Sequence, residues 1–117
     1  MMYDKEFWNI LDSLVNESQI IIDRPKNSAH PRYSDIIYPF DYGYLDGTSS
    51  MDGDGIDVWL GSDGSSDVVG ILCTVDLVKR DSEMKILLGC TDDEQKIILD
   101  FQNQLALMKA ILIKRKK

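Results

Sequence analysis

The sequence predicts a mainly β chain with flanking helices (α+β), folded as a small closed five-stranded antiparallel β-barrel with one helix at each end. Three observations lead there. Short β-prone apolar runs recur through the middle of the chain, separated by turns rich in Gly, Ser and Asp. No helical pattern alternates with them, which argues against a parallel sheet of βαβ units. Helical periodicity is confined to the two ends. A small barrel satisfies all three. With 117 residues, the chain is expected to form one domain, 1–117.

The first element is a helix. Phe7, Ile10, Leu11 and Leu14 recur at i, i+3, i+4 and i+7, and Trp8 and Val15 widen the stripe. Gln19–Asp23 reads as a strand. Residues 24–35, RPKNSAHPRYSD, carry two of the three prolines and read as a loop. Ile36–Tyr38 reads as a strand ended by Pro39, which lacks an N–H to donate. Residues 41–55 are crowded with turn formers. Ile56–Leu60, Val68–Val78 and Glu83–Leu88 are the remaining strands. Thr91-Asp-Asp-Glu94 has the capping-box spacing. Ile97, Ile98, Phe101, Leu105, Met108 and Leu112 then extend a last helix over about 92–113.

Twenty acidic residues against thirteen basic ones give a net charge of −7. That balance repels a phosphate backbone, so nucleic-acid binding is not expected. The basic cluster 114–117, KRKK, reads as a solvated tail. No apolar run approaches the length of a membrane span, and the first residues lack the apolar core of a signal peptide. A cytoplasmic location follows as the expectation, with no membrane partner. Cys73 and Cys90 lack CxxC spacing and read as reduced thiols.

The stretch that carries chemistry is Asp52-Gly53-Asp54-Gly55-Ile56-Asp57. Three carboxylates fall within six residues. Carboxylates so close repel one another unless a cation sits among them, and hard oxygen donors suit Mg²⁺ or Mn²⁺. The glycines let the backbone bend so that the oxygens converge. A solvated acidic turn would have the same composition. An EF-hand loop is excluded, because its fifth and sixth positions would be Ile56 and Asp57.

Just upstream lies Tyr38-Pro39-Phe40-Asp41-Tyr42-Gly43-Tyr44, preceded by Asp23-Arg24-Pro25. Together with DGDGIDV, these segments resemble the family I soluble inorganic pyrophosphatases over residues 19–62, and more loosely to about residue 89. The resemblance implies a small closed OB-like barrel flanked by helices. It implies Mg²⁺-dependent hydrolysis of diphosphate to two phosphates by a metal-activated hydroxide. Asp52 and Asp57 would be metal ligands, and Asp54 a ligand that helps deprotonate the attacking water. Asp23 would stand where the family has a Glu facing metal-bound water. Tyr42 would contact the leaving phosphate or position a ligand. Glu83-Met84-Lys85 matches the family's Asp-x-Lys, with Glu83 a metal ligand and Lys85 a phosphate contact. A further ligand would be Asp81, with Asp76 as the alternative.

The departures fall on the basic half of the site. The stretch between the first strand and Tyr-Pro is shortened, leaving Lys26 and Arg32 to bind substrate. The family's Tyr-Lys pair on the last helix is missing, with Lys109 as a stand-in. His30, in SAHPRY, is either a neutral surface histidine or a phosphate contact replacing a lost base. Trp59 and Tyr44 read as core. The rival reading is a non-catalytic module that binds metal or phosphate, and another is a hydrolase of a different small phosphoanhydride. Convergence of Lys26, Arg32 and Lys85 on the acidic cluster separates enzyme from binder. Family members are commonly oligomeric in varying states, so a homo-oligomer is compatible with the resemblance.

Overall fold

The computed structural model describes residues 3–51 and 53–116. Its elements are α1 (Asp4–Asn16), β1 (Ile20–Arg24), β2 (Asp41–Leu45), β3 (Ile56–Leu60), β4 (Val68–Asp76), β5 (Asp81–Leu88), α2 (Asp92–Gln102) and β6 (Met108–Lys114). The strands form one sheet in the order β1-β2-β3-β5-β4-β6. Neighbours are antiparallel except β3 and β5, which run parallel. The expected closed five-stranded antiparallel barrel is thus corrected to an open, mixed, six-stranded sheet. Among the described residues β1 and β6 are its two edges.

Three local readings change with it. Residues 41–45, expected as turn, form β2, a central strand between β1 and β3. Its middle residue is Gly43 because β1 crosses so closely: a Cβ there would lie 1.8 Å from the Ile21 carbonyl oxygen. Ile36–Tyr38 makes only an isolated bridge, Ile37 to Ala29. The last helix stops at Gln102, and residues 108–114 form β6. Asn103 effects the change. Its side-chain amide donates to the Leu99 carbonyl at 2.8 Å, and its Oδ1 accepts the Ala110 N–H at 3.1 Å. One side chain thereby ties the helix end to the next strand.

Strand parity divides the apolar residues between the sheet's two faces. Leu45, Val58, Ile71, Ile86 and Leu88 lie on the face covered by α1, against Leu11 and Val15. The buried stripe of α1 includes Trp8 and Leu14, whereas Phe7 and Ile10 of the expected stripe are exposed. Arg115 clamps the end of β6 to α1 through both oxygens of Asp12, at 2.7 and 2.8 Å. The opposite face carries Tyr42, Trp59, Leu72 and Leu87, packed against Ile98 of α2. Trp59 is fully buried, as expected, and its indole N–H donates to Gln102 Oε1 at 3.1 Å. The helix α2 covers only part of this face, and the uncovered part forms a cleft.

The capping box is present. Thr91 Oγ1 accepts the Glu94 N–H at 3.2 Å, and Glu94 Oε1 accepts the Thr91 N–H at 2.9 Å. Glu94 also accepts the Ser62 N–H at 3.2 Å, so the cap pins the β3–β4 connection. Burial raises the Glu94 pKa, but these hydrogen bonds outweigh it and the net shift is downward. Thr91→Ala is expected to cost about 1 kcal/mol, measured by urea unfolding.

Candidate active site

The cleft has a volume of about 1110 Å³. Tyr42, Tyr44, Asp57, Thr74, Glu83 and Lys85 reach it from adjacent strands, because the register puts them on the same face. Tyr44 pairs with Asp57, Tyr42 with Trp59, Leu72 with Lys85 and Thr74 with Glu83.

At the floor lies a buried charged cluster. The Lys85 ammonium donates to Tyr42 Oη at 2.6 Å, Asp57 Oδ2 at 2.8 Å and Glu83 Oε2 at 3.1 Å. The Tyr42 hydroxyl donates to the same Asp57 oxygen at 2.7 Å. Lys85 is 6% exposed. Burial alone would pull its pKa down, but Tyr42 and Asp57 more than offset that, and Lys85 stays protonated above the ordinary lysine range. Burial raises the Tyr42 phenol. Asp57 adds to the rise and Lys85 opposes it, so the hydroxyl keeps its proton.

Of the residues expected to hold metal, Asp23, Asp54, Asp57, Asp81 and Glu83 all line the cleft, and so does Asp76. Asp76 and Asp81 face each other at the base of the β4–β5 hairpin, so both candidates for that ligand reach the cleft. Asp52 lies outside the described residues. The acidic turn is built by short-range bonds. Ser50 N–H and Oγ–H donate to the Asp54 carbonyl at 2.7 and 3.1 Å, and Thr48 Oγ1 accepts the Ile56 N–H at 3.0 Å. Gly53 takes a φ of +87°, a conformation glycine adopts without strain. Among the described residues no three carboxylates are already drawn into one ligand cluster. The donor set is nevertheless all oxygen, and Mg²⁺ binds through one or two carboxylates while keeping waters and substrate oxygens. The residues therefore fit that ion.

The basic residues divide. Arg32 and Lys85 line the cleft, whereas Lys26 does not. The Lys26 ammonium lies 5.4 Å from the Phe40 ring centroid, and the Lys26 backbone N–H donates to Asp41 Oδ1 at 2.8 Å. Lys109 donates to the Asn103 carbonyl at 3.0 Å and is also outside the lining.

Neither a scan against protein-family models nor a search of curated proteins returns a match. Solved structures do match. An inorganic pyrophosphatase from Neisseria gonorrhoeae superposes with a TM-score of 0.63 at 18% identity, over 81% of this chain and 80% of that one. This chain has the inorganic pyrophosphatase fold. An inorganic pyrophosphatase from Coxiella burnetii gives a TM-score of 0.55 at 16% identity, over 83% of this chain and 84% of that one. The Helicobacter pylori inorganic pyrophosphatase gives 0.51 at 18%, over 81% of each. The open six-stranded sheet is therefore this chain's version of the pyrophosphatase fold.

Within that fold, two cationic cleft residues were missed by sequence reasoning. Arg24 reaches the cleft through a β-bulge: Ile22 pairs with Gly43 and Arg24 with Tyr42, leaving Asp23 as the extra residue. Both Asp23 and Arg24 then line the cleft. The Arg24 guanidinium donates to the Tyr38 hydroxyl and lies 5.5 and 5.8 Å from the Tyr38 and Tyr42 ring centroids. Lys79 enters from the β4–β5 turn, which is set by Asp76 Oδ1 accepting the Val78 and Lys79 N–H groups at 3.0 and 3.1 Å.

His30 also lines the cleft. Its Nδ1 accepts the Arg32 and Tyr33 N–H groups at 3.0 and 3.3 Å, which selects the neutral tautomer protonated on Nε2. Burial lowers its pKa, and the charges of Arg24, Arg32 and Lys79 lower it further. The folded state thus binds fewer protons than the unfolded one between that lowered value and 6.5. Stability should rise with pH through this window and flatten above it. His30→Gln should reduce the slope, read as the urea midpoint between about pH 5 and pH 8.

Proposed function

We propose that the chain is a Mg²⁺-dependent inorganic pyrophosphatase-like hydrolase that cleaves diphosphate to two phosphates. The observation that carries the reading is the meeting of carboxylates and cations in one cleft of a pyrophosphatase fold. Diphosphate is highly anionic, so an acidic site needs cations to hold it. When bound, Mg²⁺ would screen the phosphate oxygens and acidify water. Asp52, Asp54, Asp57, Asp81, Glu83 and Asp23 are assigned to hold it, with Mn²⁺ as an alternative and Asp76 beside Asp81.

The chain's own groups have separable roles. Tyr42 and Lys85 both contact Oδ2 of Asp57, which fixes the carboxylate and leaves Oδ1 for the cation. Asp54, exposed on its turn, accepts the proton of the attacking water. Lys85, whose three N–H groups are held by Tyr42, Asp57 and Glu83, lends its positive charge to the substrate from the floor with Tyr42 positioning it, and Arg32 and Arg24 take charge from the wall. His30 Nε2–H is a neutral donor beside them. Lys26 is kept in the substrate-binding set only if the loop rearranges around substrate, because its ammonium rests on Phe40.

The test is phosphate release from diphosphate by the purified chain. Release should require Mg²⁺ and stop on chelation. Tight Mg²⁺ binding by calorimetry without phosphate release would favour the non-catalytic module. Release from another small phosphoanhydride alone would keep the hydrolase and change its substrate.

A further inference from the structure

The cleft is larger than diphosphate alone requires, and part of its lining is aliphatic. Diphosphate has about nine non-hydrogen atoms, which fill roughly 270 Å³ at ~30 Å³ each. The cleft holds about 1110 Å³. Part of its wall has no use for an anion. Ile36 from the loop before β2, Leu105 and Leu107 from the α2–β6 connection and Met108 at the start of β6 line it together with Val78 of the hairpin turn. Val78 and Leu107 are 71% and 53% exposed. Such aliphatic surface gains about 25 cal/mol per Å² when an apolar group covers it, and gains nothing from a phosphate. The same lining carries an aromatic ring. Tyr33 is 40% exposed, and its centroid lies 5.2 Å from that of His30 with the planes at 44°.

We propose that the cleft takes a nucleoside diphosphate, with its phosphates at the Lys85 end and its base against Tyr33 and the aliphatic wall. The placement of the phosphates rests on the hydrolase reading above. In turnover, the oxygen of water bonds to the terminal phosphorus and the bridging P–O bond breaks. The electron pair stays on the bridging oxygen. The products are a nucleoside monophosphate, phosphate and one proton.

The test compares binding of two ligands that cannot be cleaved at the bridge. These are α,β-methylene-ADP and methylenediphosphonate, titrated calorimetrically with Mg²⁺ present. The nucleotide should bind at least about tenfold more tightly, the scale of one ring contact plus apolar burial. Tyr33→Ala and Leu107→Asp, both at exposed positions, should each bring the affinity ratio close to one. A ratio at or below one in the wild-type chain overturns the proposal, as does a ratio that neither variant changes. Diphosphate hydrolysis without nucleotide preference removes this proposal and keeps the hydrolase. Nucleotide preference without hydrolysis of any phosphoanhydride keeps the site and removes the hydrolase.

Discussion

Asp54→Asn is expected to lower phosphate release from diphosphate by between about 100- and 10,000-fold, the range spanned by loss of a positioned general base. The amide is nearly isosteric, but it cannot take a proton and is a poorer donor to a hard cation. The fold should not notice. Asp54 is exposed, and its backbone carbonyl, which Asn retains, accepts from Ser50 N–H and Oγ–H. The unfolding free energy from urea titration should therefore stay within about 0.5 kcal/mol of wild type. Steady-state phosphate release and urea unfolding of the same preparation give both numbers. Near-wild-type hydrolysis would remove Asp54 from the mechanism and leave the base to another cleft carboxylate.

The acidic half of this site was legible because it is local. Asp54 and Asp57 are three residues apart, and a turn plus one strand step delivers both to the cleft. Lys85 and Glu83 were legible for a related reason, since an i, i+2 pair on a strand must share a face. The basic half was legible only in part: Arg32 and Lys85 were read from the sequence and line the cleft, whereas Arg24 and Lys79 were not read. Arg24 directly follows Asp23, and plain strand alternation would send the two to opposite faces. The bulge between Ile22 and Arg24 brings both to the cleft, and nothing in IIIDRP marks it. Lys79 depends on a hairpin turn whose shape is set by Asp76.

The fold shows the same division between local and distant causes. The capping box announced the start of α2, but no Gly or Pro marked its end. Met108 and Leu112 fit a helix at i, i+4. They fit a strand equally well, as positions 108, 110 and 112, and pairing with β4 decided for the strand. β2 was hidden by Gly43, which looks like a turn residue. It is glycine because the Ile21 carbonyl occupies the place of a side chain. The missing β2 and β6 account for the expectation of a barrel: a five-strand count without β6 suggested closure, whereas the sixth strand extends an edge.

Lys85→Met is expected to destabilise the chain by about 3 kcal/mol, because it removes the cation and leaves Asp57 and Glu83 facing each other in a mostly buried place. Their side chains are 27% and 16% exposed, so water offsets part of the cost. The melting temperature should fall by roughly 12 °C, at ~4 °C per kcal/mol for a domain of this size. Phosphate release should fall as well, but that alone does not separate fold from chemistry. The double variant Lys85→Met/Asp57→Asn does. If the cost lies in the uncompensated carboxylate, neutralising Asp57 returns part of the loss, and the double variant is more stable than the sum of the singles. Activity should not return with it, because Asp57 and Lys85 are both assigned to ligand binding. Strict additivity in urea unfolding would mean that the Lys85–Asp57 pair adds no stability of its own, and that the loss comes from the other contacts of the ammonium, with the Tyr42 hydroxyl at 2.6 Å and the Tyr42 ring centroid at 5.2 Å. The buried charge cluster would then serve the ligand rather than the fold.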